Sequence, residues 1–362
     1  VSAPLVSVVI PMRNEEAWIE RCLGSVLIQD YPWERVEILV ADGMSTDGSR
    51  RLLAEMAASD PRIRVIDNPG LIVPTGLNLA IEAARGDVIA RIDAHTILER
   101  DYLSVGVELL DRSAAANVGG PMVCRGGGRV GDAIARAMHS RFGIGALFHF
   151  ADAEAECDTV YMGMWPREVF EKVGLFDAEL VRNQDDELSY RIRKAGGRIV
   201  VTPAMRSLYQ NRESWKALAR QFYQYGEWKV RVLQKHPRQM SVRHFVPPAF
   251  QLGVFGAAVL GVVWPGGGWI AFGAVTLYAA IMALVAGMNS DAATAAERVR
   301  VWLALVLIQQ CWAGGFLAGL VRFAGRWGLP EPQPPRLPAR SKASGAPRPG
   351  GAIFPASFEE RA

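Results

Sequence analysis

Three acids stand where catalysis is easily placed. Asp42 ends the apolar run 36–41 in Val40-Ala41-Asp42-Gly43-Met44-Ser45-Thr46-Asp47-Gly48. Asp93 ends the run 87–92 in Arg91-Ile92-Asp93-Ala94-His95, and Asp185 opens a helical pattern in Asn183-Gln184-Asp185-Asp186-Glu187-Leu188. Each has an ordinary structural reading, Asp42 as a turn former and Asp185 as a first-turn acid facing a helix dipole. The spacing Asp93-x-His95 says more. At the end of a strand the i and i+2 side chains point the same way, so a carboxylate oxygen and an imidazole nitrogen there can share one divalent cation. A site with one carboxylate and open positions suits an ion that bridges a diphosphate. The nitrogen ligand moves the preference from Mg²⁺ toward Mn²⁺. The alternative is a lone exposed histidine on a loop.

The elements that must hold these residues alternate. Apolar runs at 7–12, 36–41, 63–66 and 87–92 are separated by amphipathic stretches at 15–29, 47–58 and 77–84. Such alternation predicts an α/β domain with a mainly parallel sheet between helices. Ligands of these sheets bind outside the carboxyl ends of the strands, where the three acids fall. Further along, 118–124, 159–165 and 198–202 read as strands, and 186–195 reads as a helix ended by Gly196-Gly197.

Charge and hydropathy define the rest of the chain. The 362 residues carry 40 Lys+Arg against 37 Asp+Glu, a balance that excludes a globally basic nucleic-acid binder and an acidic disordered chain. Cys22, Cys124, Cys157 and Cys311 form no C-x-x-C pair, which argues against zinc ribbons, iron–sulfur clusters and disulfide scaffolds. No secretory signal precedes the first strand, so the N-terminal part is expected in the cytoplasm. Between 206 and 243 nine Lys/Arg face only Glu213 and Glu227, interleaved with Tyr209, Trp215, Phe222, Tyr223, Tyr225 and Trp228. That pattern suits an interfacial segment at phospholipid headgroups. Residues 244–290 then hold no Asp, Glu, Lys or Arg at all, and Pro265-Gly266-Gly267-Gly268 splits them into apolar pieces at 246–264 and 269–288. Each is near the roughly 20 residues that cross a bilayer. A third piece, 301–321, is diluted by Gln309-Gln310 and Gly314-Gly315 and reads either as a span or as a re-entrant helix. Basic residues before the first span place the catalytic side in the cytoplasm. Three spans would put the tail outside, against its Arg336, Arg340, Lys342 and Arg348, and the sequence leaves that conflict open. From 329 onward the Pro/Arg-rich composition predicts disorder.

The stretch Ser7-Val8-Val9-Ile10-Pro11-Met12-Arg13-Asn14-Glu15-Glu16 resembles the opening of the family 2 inverting glycosyltransferases, which have the GT-A fold. Further pieces follow in the family's order over about residues 5–205: Asp42-Gly43-Met44-Ser45-Thr46-Asp47-Gly48, Gly76-Leu77-Asn78, Ala84-Arg85-Gly86-Asp87, Asp93-Ala94-His95, and Gln184-Asp185-Asp186-Glu187-Leu188 with Arg191. The resemblance implies donor-binding roles for Pro11, Arg13, Glu15, Asp42, Asn78 and Asp93, with Asp42 at the nucleobase. It implies a Mn²⁺ or Mg²⁺ site at Asp93 and His95, Asp185 as the general base, and an acceptor side at Gly163, Met164 and Trp165. Three departures stand out. The acid usual after Asp42 is Gly43, the D-x-D motif is D-x-H, and Gln184 replaces the acid before the base, which removes a like charge beside Asp185.

The expected protein has a GT-A domain at 1–205, an interfacial segment at 206–243, a membrane region at 244–328 and a disordered tail at 329–362. It is expected to be a multi-pass protein of the cytoplasmic membrane. Its expected reaction is a single in-line displacement that moves one hexose, with UDP-glucose as the expected donor, to a polyprenyl-diphosphate-linked saccharide in surface-glycan synthesis. Membrane phospholipids and other glycan-assembly enzymes are expected partners. A processive synthase would carry Q-x-x-R-W, which Gln221-Phe222-Tyr223-Gln224-Tyr225 does not match. A non-catalytic membrane scaffold with the same fold is the rival of another class.

Overall fold

The computed structural model describes residues 3–140, 143, 151–288, 294–329, 332–340 and 352–354. They form two compact units. The first comprises Val1–Val123, Ala146–Tyr209 and Pro332–Ala362, the second Cys124–Gly145 and Gln210–Glu331. This division differs from the linear one read from the sequence, because 124–145 joins the C-terminal helices and 332 onward returns to the first unit.

The first unit is built on β1 (Val6–Met12), β2 (Val36–Asp42), β3 (Ile63–Asp67), β4 (Val88–Arg91), β5 (Thr96–Leu98), β6 (Asn117–Gly120), β8 (Ala155–Glu156), β9 (Tyr161–Pro166), β10 (Ile199–Val201) and β11 (Ser207–Gln210); β7 (Met122–Arg125) carries the chain onward to the second unit. Eight of them make one sheet in the order β3-β2-β1-β4-β9-β6-β10-β8. The β3-β2-β1-β4 half is parallel, while β9 runs antiparallel to both β4 and β6. The helices are α1 (Ile19–Leu27), α2 (Ser49–Ser59), α3 (Val73–Ala83), α4 (Tyr102–Ser113), α6 (Glu168–Val173) and α7 (Gln184–Lys194).

Why β1 and β2 are mostly apolar follows from burial on both faces; the polar exceptions, Ser7 and Glu37, bond each other, and Asp42 ends β2. Val6, Val8, Ile10 and Met12 join the core with Val36, Ile38 and Val40, while Val9 joins Leu39 and Ala41 in a second core on the other face. The register pairs Met12 with Asp42 and Val9 with Arg91. The ends of β1, β2 and β4 therefore share one rim, and β9, running the other way, brings its first residue, Tyr161, to the same end.

The second unit holds α5 (Gly128–Met138), α8 (Trp215–Lys235), α9 (Val246–Leu260), α10 (Pro265–Met288) and α11 (Ala295–Arg322). Ser214 caps α8 by accepting from the Ala217 amide at 3.2 Å, and Thr294 with Glu297 forms a capping box on α11. Two helices, α10 and α11, are long and apolar enough to cross a membrane, whereas α9 has 15 residues and stops at Leu260 rather than at the expected 264. The polar dilution of α11 is satisfied among the helices. Gln251 donates to the Gln310 carbonyl at 2.8 Å, and the Tyr278 hydroxyl donates to Gln309 Oε1 at 3.1 Å. In α8, Lys229 and Arg231 are buried, 6% and 1% exposed. These two cations are thus spent inside the unit, and the headgroup reading keeps only the exposed members such as Arg220.

Candidate active site

The rim is assembled from two loops that lock together. Asn14, in the left-handed region at φ 57°, donates its amide to Ser45 Oγ at 2.8 Å and accepts the Thr46 amide on Oδ1 at 2.8 Å. The Glu15 amide donates to Ser49 Oγ at 2.8 Å, and Glu16 accepts the Gly48 amide at 3.0 Å. Asp47 holds Ser49 through its amide and hydroxyl. The polar residues of the second motif thus clamp the first loop. Asp42, fully buried, accepts the Ser45 hydroxyl at 2.5 Å and Arg50 Nη1 at 2.7 Å, and Arg50 reaches on to Asp67 at 2.8 Å.

Beyond β4 the chain turns, and the Thr96 amide donates to the Asp93 carbonyl at 2.9 Å. The strand ends at Arg91, so Asp93 and His95 are aimed by this turn and not by the alternation of an extended strand. Asp93 Oδ1 accepts Arg91 Nε at 3.0 Å. His95 Nδ1 lies 3.0 Å from Glu15 Oε1, and its ring meets Tyr209 edge-on at 5.2 Å. The Tyr161 hydroxyl and Thr96 Oγ1 lie 2.6 Å apart beside them.

Asp185 sits in the first turn of α7, which follows Asn183 at φ 63°. Its Oδ2 lies 3.5 Å from Nη1 of Arg91, and it stays partly open to solvent while the arginine side chain is 7% exposed. Arg91 therefore stands between the acid after β4 and the acid at α7. Burial opposes its charge, but Asp93 and Asp185 more than offset that and hold the guanidinium above its usual pKa. Two other motif residues of α7, Glu187 and Arg191, are structural. Glu187 accepts Arg191 on both oxygens, at 2.7 and 2.8 Å, and Arg191 donates to the carbonyls of Val173, Gly174 and Leu175. This buried pair fixes the loop that leads to Asp185.

The remaining expected residues separate. Pro11 is buried in β1 and Arg13 is exposed at the rim. Asn78 is 9% exposed, and its amide bonds the Phe176 carbonyl and amide at 2.8 and 2.9 Å, tying α3 to the loop before α7. Met164 and Trp165, 0% and 2% exposed, lie in the two cores. Gly163 takes φ +107°, and a Cβ there would meet the Trp165 ring and Asn117 Oδ1 within 2.7 Å. Cys22, Cys124 and Cys157 are buried thiols pushed up to about 12, which removes them as nucleophiles at neutral pH.

Comparison with known proteins matches this arrangement to a family. The profile for glycosyl transferase family 2 covers residues 7–174. The succinoglycan biosynthesis protein ExoA of Rhizobium meliloti is 31% identical over 88% of this chain and 96% of its own length. The chain belongs to glycosyl transferase family 2. A second family relative, from Methanococcus voltae, is named dolichyl N-acetyl-alpha-D-glucosaminyl phosphate 3-beta-D-2,3-diacetamido-2,3-dideoxy-beta-D-glucuronosyltransferase and is 30% identical over 64% of this chain and 74% of its own. In fold the chain is similar to the mannosyltransferase PcManGT of Pyrobaculum calidifontis, solved with GDP-Man and Mn²⁺, with a TM-score of 0.55 at 21% identity over 88% of each chain. The first unit thus has the GT-A α/β fold of this glycosyltransferase family.

One residue and one pairing at the rim escaped the sequence reading of the family 2 motifs. Arg91 carried a signal, a cation in the apolar run Val88-Ile89-Ala90-Arg91-Ile92 two places before an acid. The pairing of Glu15 with His95 carried none, since 80 residues separate them. Among the described residues no three His, Cys, Asp or Glu lie together as a group that could hold a metal ion by themselves, so a cation at Asp93 and His95 would need further ligands from a bound diphosphate. With Nδ1 of the neutral His95 ring donating to Glu15, Nε2 keeps its lone pair.

Proposed function

We propose that this family 2 enzyme transfers one hexose, with inversion, from a nucleotide-diphospho-sugar to a membrane-bound, lipid-linked saccharide, and that UDP-glucose is the donor. The observation that carries the reading is Arg91, set between Asp93 and Asp185 at the rim where β1, β2 and β4 end. Inverting transfer needs a diphosphate held on one side of the sugar and a base on the other. One buried cation touches a candidate for each task.

The roles follow from placement. Asp93 and His95 would hold a divalent cation, Mn²⁺ or Mg²⁺, which supplies charge neutralisation to a departing diphosphate. Glu15 orients the His95 ring. Asp42, Arg50 and the clamped loops set the nucleoside side, with Pro11 and Arg13 at the end of β1. Asp185, held at the helix terminus and open to solvent, takes the proton of the acceptor hydroxyl as that oxygen forms its bond to the anomeric carbon. The carbon–diphosphate oxygen bond breaks on the opposite face, so an α-linked donor gives a β-linked product. No covalent nucleophile is required. Gly163, beside the left-handed Met162 near the start of β9, borders the acceptor side through its backbone.

The acceptor class rests on the company of this site. α10 and α11 are apolar enough to cross a bilayer, and the relatives are named for succinoglycan biosynthesis and for a dolichyl-linked sugar acceptor. On this reading the chain is a multi-pass protein of the cytoplasmic membrane with its active site inside. The test is a screen of UDP- and GDP-sugars with purified full-length protein, Mn²⁺ and a polyprenyl-diphosphate-linked oligosaccharide. One sugar added from UDP-glucose, abolished by EDTA and lowered about 10²–10⁴-fold in Asp185→Asn with donor affinity kept, is the expected outcome. Transfer by Asp185→Asn at the parent rate would overturn the assignment of the base.

A further inference from the structure

The proline-rich stretch that follows α11 has nothing in its composition that calls for folding, yet 332–340 and 352–354 are built into the first unit. The Leu175 amide donates to the Pro335 carbonyl at 2.8 Å, and the Leu337 amide donates to the Phe170 carbonyl at 3.2 Å. Leu337 and Ile353, 4% and 8% exposed, sit in the core that also contains Trp165, Phe170 and Phe176. Arg340 donates to the carbonyls of Arg85 and Ala84 at 2.8 and 3.3 Å, and the Lys172 ammonium stands 4.5 Å over the Phe354 ring. Gly174 has φ +85°, and a Cβ there would lie 2.8 Å from the Pro334 carbonyl oxygen. A glycine meets both the conformation and the close approach.

We infer that 332–340 and 352–354 form a strap of the catalytic unit, lying on the active-site side of the membrane, so that the intervening chain crosses the bilayer an even number of times. The inference rests on the membrane reading above. Backbone hydrogen bonds and buried leucine and isoleucine side chains cannot join parts of one core across a bilayer, so the strap and β1–β11 share a compartment. Three apolar helices each crossing once would deliver the strap to the far side and strip it from its core.

Two independent features agree with an even count. The first is length: α9, 15 residues at about 1.5 Å each, spans about 22 Å against a hydrocarbon core of about 30 Å, while α10 and α11 have 24 and 28 residues. The second is charge. Nine Lys/Arg lie in 206–243 and six in 322–348, against only Arg298 and Arg300 in the chain between. With two crossings both basic groups face the cytoplasm, as the positive-inside bias requires. With three, the second group would be translocated. The strap also bears on the active site, since its partners Phe170 and Leu175 flank the loop that Arg191 fixes ahead of Asp185.

The experiment is cysteine accessibility in sealed vesicles carrying the full-length protein. Ala54→Cys on α2 and Ala339→Cys on the strap, both exposed, are treated with a membrane-impermeant maleimide. Reaction of both from the same vesicle face is expected. Reaction from opposite faces overturns the parity. The strap is tested by Leu337→Asp, expected to lower the melting temperature by several degrees, while Leu329→Asp at an exposed position leaves it in place. Equal melting temperatures for the two variants overturn the strap. Neither readout requires turnover, so a chain that transfers no sugar still decides the matter, and a failed topology leaves the transfer assay standing.

Discussion

Nδ1 of His95 lies 3.0 Å from Oε1 of Glu15, a residue of the opposite loop 80 positions earlier. A carboxylate can only accept, so in the neutral ring the proton sits on Nδ1 and the Nε2 lone pair faces away from Glu15. Glu15, expected from the family resemblance to touch the donor, thus holds the ring of His95, the proposed cation ligand.

Removing that orienting carboxylate has a measurable cost. Glu15→Ala is expected to weaken Mn²⁺ binding about 10–100-fold in a calorimetric titration with UDP present. His95→Ala should weaken it at least as much, and the double variant little further. Glu15→Ala with unchanged Mn²⁺ affinity would show the pairing to be idle.

Arg91 links two acids with different tasks, so its loss should act on turnover more than on binding. Arg91→Met leaves Asp93 and Asp185 without their shared cation. A fall of about 10²-fold in kcat is expected, with a smaller change in donor KM. Arg91→Lys, which keeps the charge but not the planar fork, should recover part of it. Steady-state kinetics of the two variants check this, and an unaltered kcat in Arg91→Met would remove Arg91 from the account.

Asn78 makes the opposite prediction. Its amide satisfies the buried backbone of Phe176 at 2.8 and 2.9 Å. Asn78→Ala should cost about 1–3 kcal/mol of stability by denaturant unfolding and leave nucleotide affinity near its parent value. Loss of nucleotide affinity without loss of stability would restore the donor-binding role.

Glu37 gives the fold a pH signature. Burial pushes this carboxyl up, but bonds from Ser7 at 2.5 Å and from the Arg85 amide and guanidinium outweigh it, so its pKa lies below the ordinary 4.5. A depressed carboxylate stabilises the fold fully above the unfolded value and loses that contribution as pH falls through the folded value. Melting temperature should therefore hold down to about pH 5 and drop below the ordinary 4.5. Glu37→Gln should melt lower at pH 7 and show a shallower drop. Equal slopes for the two proteins would contradict the assignment.

What was legible in the sequence is what repeats along it. The two-faced burial of β1 and β2 shows as apolar runs broken only by Ser7 and Glu37 before the closing Asp42, and Asp93 follows the run of β4 by two places. Long-range partners write no local pattern. Nothing in 7–16 points to His95, and nothing in a Pro-rich tail points to Phe170 and Leu175, so the ordered strap was missed. Motif residues also mislead when the fold uses them for support: Asn78, Glu187 and Arg191 look like site residues yet satisfy buried backbone and one another. Lys229 and Arg231 fit a headgroup belt by type, and only packing showed them buried.

The most direct trial of the account is anomalous diffraction from crystals of the full-length protein grown with Mn²⁺ and UDP. The account predicts one manganese peak bonded to the Asp93 carboxylate and His95 Nε2 and to oxygens of the diphosphate. Nucleotide held at the rim with manganese on other residues, or with none at all, would contradict it.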